Sequence, residues 1–157
     1  MKVLQLIDSL EAGGAERMAV SIANSLVGVV TQSYLCTTRA EGLLKDHISK
    51  AVSYLYLEKQ STFDIVAIKR LDTFVKTEEI TIIHAHSSSY FLATLIKILN
   101  KKVRIVWHDH YGSSEILGKR PKRILQLCSY YFNHIISVNL KLKAWAKSEL
   151  NAKNVSY

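Results

Sequence analysis

The sequence predicts an α/β domain, a Rossmann-like doubly wound parallel sheet of about six to seven strands, and three observations carry that reading. Short apolar runs of strand length alternate with segments of helical period from one end to the other. The runs are nearly all-apolar, as in strands covered on both faces, and are not half-polar alternations. No repeat, low-complexity stretch or linker interrupts the 157 residues, and Pro121 is the only proline.

Each element follows from its residues. Val3–Ile7 is a short apolar first strand, and the acidic Asp8 directly after it excludes a signal peptide. After the Gly13-Gly14 turn, Ala15–Leu26 reads as a helix, with Met18, Ile22 and Leu26 as its apolar stripe, widened by Ala19 and Ala23. Residues 29–38 are rich in β-branched residues and Tyr and form the second strand; Gly42–Lys50 is a short helix, and Ser53–Leu57 the third strand. Ser61-Thr62 offers a cap for a helix to about Lys76 that buries Phe63, Val66, Ala67, Leu71, Phe74 and Val75. Ile80–His84, Val103–Trp107 and His134–Val138 are the fourth, fifth and sixth strands. The helices between and after them are 87–99, 120–132 and 139–150, with Pro121 in the first turn of the second. Residues 154–157 begin a seventh strand. Such alternation implies right-handed crossovers and helices on both faces of the sheet.

In an open parallel sheet, ligands bind beyond the carboxyl ends of the strands. Gly13 and Gly14 lie there, before a helix N-terminus whose free N–H groups suit an anion; a plain tight turn is the alternative. The loop is neither Gly-x-Gly-x-x-Gly nor a P-loop, which speaks against a nicotinamide dehydrogenase and a nucleoside triphosphatase. Four of the six histidines end two consecutive strands, as His84-Ala85-His86 and His108-Asp109-His110. They suit hydrogen bonding to sugar hydroxyls and phosphates. A metal hydrolase using them would need further ligands at other strand ends, so no metal is expected. Asn139 caps the last helix, faces the cleft, or does both.

Charge is unevenly spread. Residues 1–96 hold 9 Lys/Arg against 10 Asp/Glu, while residues 97–157 hold 12 against 3. Lys119, Arg120, Lys122 and Arg123 stand beside Ile124, Leu127, Tyr130, Tyr131 and Phe132, a pattern that suits an anionic membrane surface. A solvated basic face is the alternative; nucleic acid would use similar charge, but no motif for it is present. No apolar run reaches the length of a membrane span. Cys36 and Cys128 sit in apolar stretches and read as free thiols in a reducing cytoplasm.

Gly13-Gly14-Ala15-Glu16-Arg17 after a first strand resembles the loop of family 4 glycosyltransferases. Ile83-His84-Ala85-His86-Ser87 resembles their fourth strand, Val106-Trp107-His108-Asp109-His110-Tyr111-Gly112 their fifth, and Val138-Asn139 their sixth, where the family often has Ser. The resemblance covers the whole chain. It implies one half of a GT-B fold, with residues 1–157 as the N-terminal, acceptor-side domain and the C-terminal donor-binding domain absent. It further implies sugar transfer with retention of configuration, and a nucleotide-diphosphate sugar as donor with no tightly bound cofactor. The acceptor would be a glycan or lipid-linked, plausibly in bacterial surface polysaccharide synthesis, with the partner domain supplied by the rest of the chain. A site at the cytoplasmic face of the plasma membrane fits those acceptors. Of the residues, Gly13, Gly14 and Glu16 would lie near donor or sugar, His110 or else His108 would be the catalytic-cleft histidine, and His86 would line the acceptor side. A split enzyme completed by a separate donor-binding protein is the alternative.

Overall fold

The computed structural model describes residues 1–157, apart from the side chain of Ser114. Seven strands form one parallel sheet: β1 (Lys2–Ile7), β2 (Gln32–Thr37), β3 (Ser53–Tyr56), β4 (Ile82–His86), β5 (Arg104–Asp109), β6 (Phe132–Ser137) and β7 (Val155–Ser156). Their order is β3-β2-β1-β4-β5-β6-β7, with every neighbouring pair parallel. The winding reverses between β1 and β4, which opens a crevice at their carboxyl ends.

Helix α1 (Gly14–Ser25) packs on one face with the 3₁₀ turn Leu43–His47, enclosing Ile7, Leu10, Ala19, Val20, Ala23, Leu35 and Leu44. Helices α2 (Ile65–Thr77), α3 (Tyr90–Leu99), α4 (Arg123–Ser129) and α5 (Leu140–Glu149) cover the other face. The larger core lies there, from Leu4 and Leu6 through Ile83, Ile105 and Trp107 to Ile135 and Trp145. A fully buried Leu such as Leu71 stabilises it by about 1.5–3 kcal/mol. Side chains alternate along each strand, so His84, His86 and His108 share the α1 face while Trp107 and Asp109 point to the other.

Several elements differ from expectation. Helix α1 buries Ala19, Val20 and Ala23, and Met18 is exposed. The cap of α2 is Asp64, whose Oδ1 accepts from Ala67 N at 3.0 Å; Phe63 and Val66 are exposed. The shift is physical: Asp64 bonds two backbone N–H groups at once, those of Gln60 and Ala67, which neither Ser61 nor Thr62 does. The Gly42–Lys50 helix is the 3₁₀ turn Leu43–His47. Helix α4 starts at Arg123 and is only 7 residues long, with Pro121 outside it and Phe132 already in β6. Strands β4 and β5 run two residues further than the apolar pattern suggested, so that His86, His108 and Asp109 belong to the sheet. Both cysteines are free and buried. No helix among the described residues is long and apolar enough to cross a membrane.

Candidate functional site

Parallel pairing places His86 opposite His108, and His84 opposite Gln5 of β1. Because β5 is followed directly by His110, four imidazoles collect at the carboxyl ends of two central strands. The rings of His84 and His108 stack at 5.3 Å with an interplanar angle of 3°. His110 lies 4.1 Å from His108, ring centre to ring centre. Burial first, and mutual repulsion second, push the titration of His84 down to about 3 and that of His108 down to about 4. His86 is driven well below 6.5 by the same causes. Burial also lowers His110, partly offset by the Asp109 carboxylate. All four are therefore neutral at pH 7.

With the Gln5 amide oxygen turned towards His86, neutrality sets the tautomers along one chain of hydrogen bonds. His86 Nε2–H donates to Gln5 Oε1 at 2.9 Å. His86 Nδ1 is then a lone pair, and His110 Nε2–H donates to it at 3.2 Å. The remaining nitrogen of His110, Nδ1, carries a lone pair of its own. His110 is also the only one of the four to line the adjacent cavity of about 340 Å³, with Ser87, Ser88, Asp109, Tyr111 and Arg120 among its neighbours. A lone pair on a cavity-lining imidazole can accept a hydrogen bond or a proton from a substrate hydroxyl.

Two buried imidazole nitrogens, His84 Nε2 and His108 Nδ1, have no hydrogen-bond partner among the described residues, and neither does the Gln5 amide nitrogen beside them. The ligand atoms of His84, His86 and His108 all lie within 4.8 Å of one another, a donor set suited to a divalent transition metal. His86 would have to give up Gln5 or His110 to join such a site.

The predicted site residues separate into groups. Histidines 86, 108 and 110 are brought together. Gly13 caps α1 with extended backbone, and Glu16 folds back beside it: a Cβ on Gly13 would meet Glu16 Oε2 at 2.2 Å. A Cβ on Gly14 would meet nothing within 4 Å. Nothing inside the domain demands glycine at position 14. Asn139 is a cap, its Oδ1 accepting from Leu142 N at 2.9 Å.

Arg120 is a correction. It is 9% exposed and forms a bidentate pair with the buried Asp109, at 2.7 and 2.8 Å. Its guanidinium lies 4.3 Å from the ring centre of Tyr111 and 4.2 Å from that of Trp145. Clamped in this way, it is withdrawn from any membrane contact. Lys119 and Arg123 remain exposed, and Lys122 pairs with Glu149.

Sequence reasoning missed Gln5, Asp8 and Ser88. Asp8, the first residue after β1, accepts from Thr38 Oγ1 at 2.6 Å and from Ser88 Oγ. Ser87 has φ 50, a left-handed conformation rare for a residue with a Cβ. Trp107 Nε1–H donates to its carbonyl at 2.8 Å and holds the turn. The position of Asp8 at a strand end was the available signal.

The fold and this strand-end cluster define a Rossmann-like α/β domain with a candidate ligand site beyond the carboxyl ends of its central strands. Residues 12–155 match Glycosyltransferase Family 4, and the chain belongs to that family. No curated protein matches it by sequence. Among solved structures it is similar to HepE from Anabaena, in complex with UDP, with a TM-score of 0.71 and 18% identity over 99% of this chain and 43% of that one. The lipopolysaccharide outer core galactosyltransferase WaaB gives 0.69 and 13%, over 100% and 45%. UDP-GlcNAc 2-epimerase from Methanocaldococcus jannaschii gives 0.65 and 8%, over 99% and 45%. At these identities the likeness is one of fold, and the chain spans less than half the length of each. The expected Rossmann-like half of a GT-B fold is the fold observed.

Proposed function

We propose that this chain is the N-terminal, acceptor-side domain of a retaining glycosyltransferase that moves a sugar from a nucleotide-diphosphate sugar to a glycan or lipid-linked acceptor, in bacterial surface polysaccharide synthesis. The observation that carries the reading is His110, neutral and hydrogen-bonded through His86 to Gln5, lining the cavity beyond the carboxyl ends of β4 and β5. Family membership supports sugar transfer, and the complex of HepE with UDP supports a uridine nucleotide as carrier. The second domain would hold the diphosphate, and Gly13 and Gly14 would let the donor approach the N-terminus of α1. His110 would hold a hydroxyl of the transferred sugar or of the acceptor, with His108 behind it and His86 fixing its tautomer.

The test is transfer by the natural full-length protein from a panel of sugar nucleotides to membrane-extracted acceptors. His110→Ala is expected to lower kcat/KM by about 10²-fold or more; unchanged transfer would remove the histidine from the site. The three-histidine donor set favours a second reading, a metal-dependent hydrolase. Elemental analysis of protein purified without chelator decides it, since stoichiometric zinc or manganese would bring that reading forward. Lys119 and Arg123, with exposed Ile124, Leu127 and Tyr130, support contact with an anionic membrane. Co-sedimentation with anionic but not neutral vesicles is the expected result, and equal sedimentation with both would contradict it.

A further inference from the structure

Two positions on one strand and one on the next form a triangle on the α1 face of the sheet. His84 and His86 stand two residues apart on β4, and His108 of β5 pairs directly with His86. Side chains two apart share a face, and neighbouring strands lie about 4.8 Å from each other, so three imidazoles converge there. His84 is 7% exposed, His86 0% and His108 6%. Polar groups buried to this extent are ordinarily hydrogen-bonded, yet His84 Nε2 and His108 Nδ1 have no partner among the described residues. An imidazole nitrogen denied both water and a partner is costly, and a cation that takes its lone pair removes that cost.

The donors select the ion. Imidazole suits zinc, copper and nickel, whereas magnesium and calcium take oxygen. No carboxylate belongs to the cluster among the described residues. Asp109, the acid between His108 and His110, points to the opposite face and is held by Arg120. The three ligand atoms lie within 4.8 Å of one another. Zinc–nitrogen bonds of about 2.0–2.1 Å at tetrahedral angles set them about 3.3 Å apart. Ring rotation closes most of that difference. The rings of His84 and His108, now at an interplanar angle of 3°, turn about the bond from Cβ to the ring, which is a broad torsion.

We propose that His84, His86 and His108 form a transition-metal site, and that filling it switches off the cleft histidine. His86 links the two functions, because both its nitrogens are already engaged, Nε2 with Gln5 and Nδ1 with His110. A metal on Nδ1 displaces His110 outright. A metal on Nε2 displaces Gln5 and leaves the proton on Nδ1; His86 then donates to His110, and the free lone pair of His110 becomes an N–H. An ion in the site and a correctly held His110 therefore exclude each other. The ion is not a catalytic one, since none of its three ligands lines the cavity that His110 lines. The site stands on the cluster alone; its inhibitory effect rests on the transferase reading above.

The experiment is calorimetric titration of the natural full-length protein, stripped of metal beforehand, with zinc and with magnesium. Zinc is expected to bind at least a hundredfold more tightly than magnesium. His84→Asn and His108→Asn should each weaken zinc by tenfold or more, and His47→Asn, in the exposed 3₁₀ turn, should leave it unchanged. Zinc binding unchanged in both cluster variants, or magnesium binding as tightly, would overturn the site. Cobalt in place of zinc needs no variant that folds: the intense visible bands of a tetrahedral site are expected with the unmodified protein, and the pale spectrum of aqueous cobalt would overturn the site. In the transfer assay, saturating zinc should lower turnover tenfold or more, reversibly with chelator, while His84→Asn keeps its transfer and is not inhibited. Zinc bound with transfer unaffected would overturn the switch and leave the site, as would hydrolysis that appears only with zinc. No transfer with or without zinc, with zinc binding intact, would sink the glycosyltransferase reading and leave the site.

Discussion

Asp109 and Arg120 hold each other in a place where neither tolerates being alone. The carboxylate is 1% exposed, and both its oxygens accept from the guanidinium. Truncation by Arg120→Ala leaves a buried, unpaired carboxylate and is expected to destabilise the fold by about 3–5 kcal/mol. Chemical denaturation measures it, and a loss under 1 kcal/mol would contradict the burial described. Asp109 adjoins His110, so the same change should loosen the cleft histidine. The histidines set the response to acid. Unfolded imidazoles titrate near 6.5, whereas His108 and His84 in the fold resist protonation down to about 4 and about 3. From pH 6.5 towards 4 the unfolded chain therefore binds more protons than the folded one, and stability falls as pH falls. Each such imidazole contributes a slope of up to about 1.4 kcal/mol per pH unit. Urea midpoints should drop between pH 6.5 and 5, before most carboxylates titrate; a flat profile across that window would contradict neutral burial of the cluster.

At the scale of elements, two glycines near the crevice do different work. A Cβ on Gly42 would strike the carbonyl carbon and oxygen of Leu10, both at 2.4 Å, so the loop after β1 and the 3₁₀ turn touch there through backbone. Gly42→Ala is expected to cost about 1–3 kcal/mol, whereas Gly14→Ala should leave the thermal midpoint unchanged or raise it slightly, since its Cβ meets nothing. Equal melting losses in the two variants would contradict this distinction. Strands were legible because buried parallel strands are continuous apolar runs, and even the two-residue β7 was visible. Their ends were not: His86, His108 and Asp109 continue the ladder as polar residues, and polarity hid them. Helix faces were read by period alone, which put Phe63 and Val66 in the core. Phe63 is left outside because Asp64, through its two backbone bonds, starts α2 after it, and Val66, in the first turn, falls on the exposed side of the helix.

The whole molecule is lopsided. Four helices cover one face of the sheet, one helix and a 3₁₀ turn cover part of the other, and the functional candidates gather at the carboxyl edge between. Paired histidines at the ends of two neighbouring strands were enough to anticipate the histidine cluster from the sequence, because βαβ winding makes these consecutive strands adjacent. Arg120 misled because, within a basic run, nothing local marks the one residue that turns inward to an acid eleven positions earlier. Solved relatives of the same fold are more than twice as long, and the cleft reading requires a second wall. Transfer activity of this chain alone, compared with the chain extended through its natural reading frame, tests that reading most directly. Transfer from a sugar nucleotide by the extended chain only is the result the account predicts. Turnover by the 157 residues alone, or none by the extended chain with any donor, would contradict it.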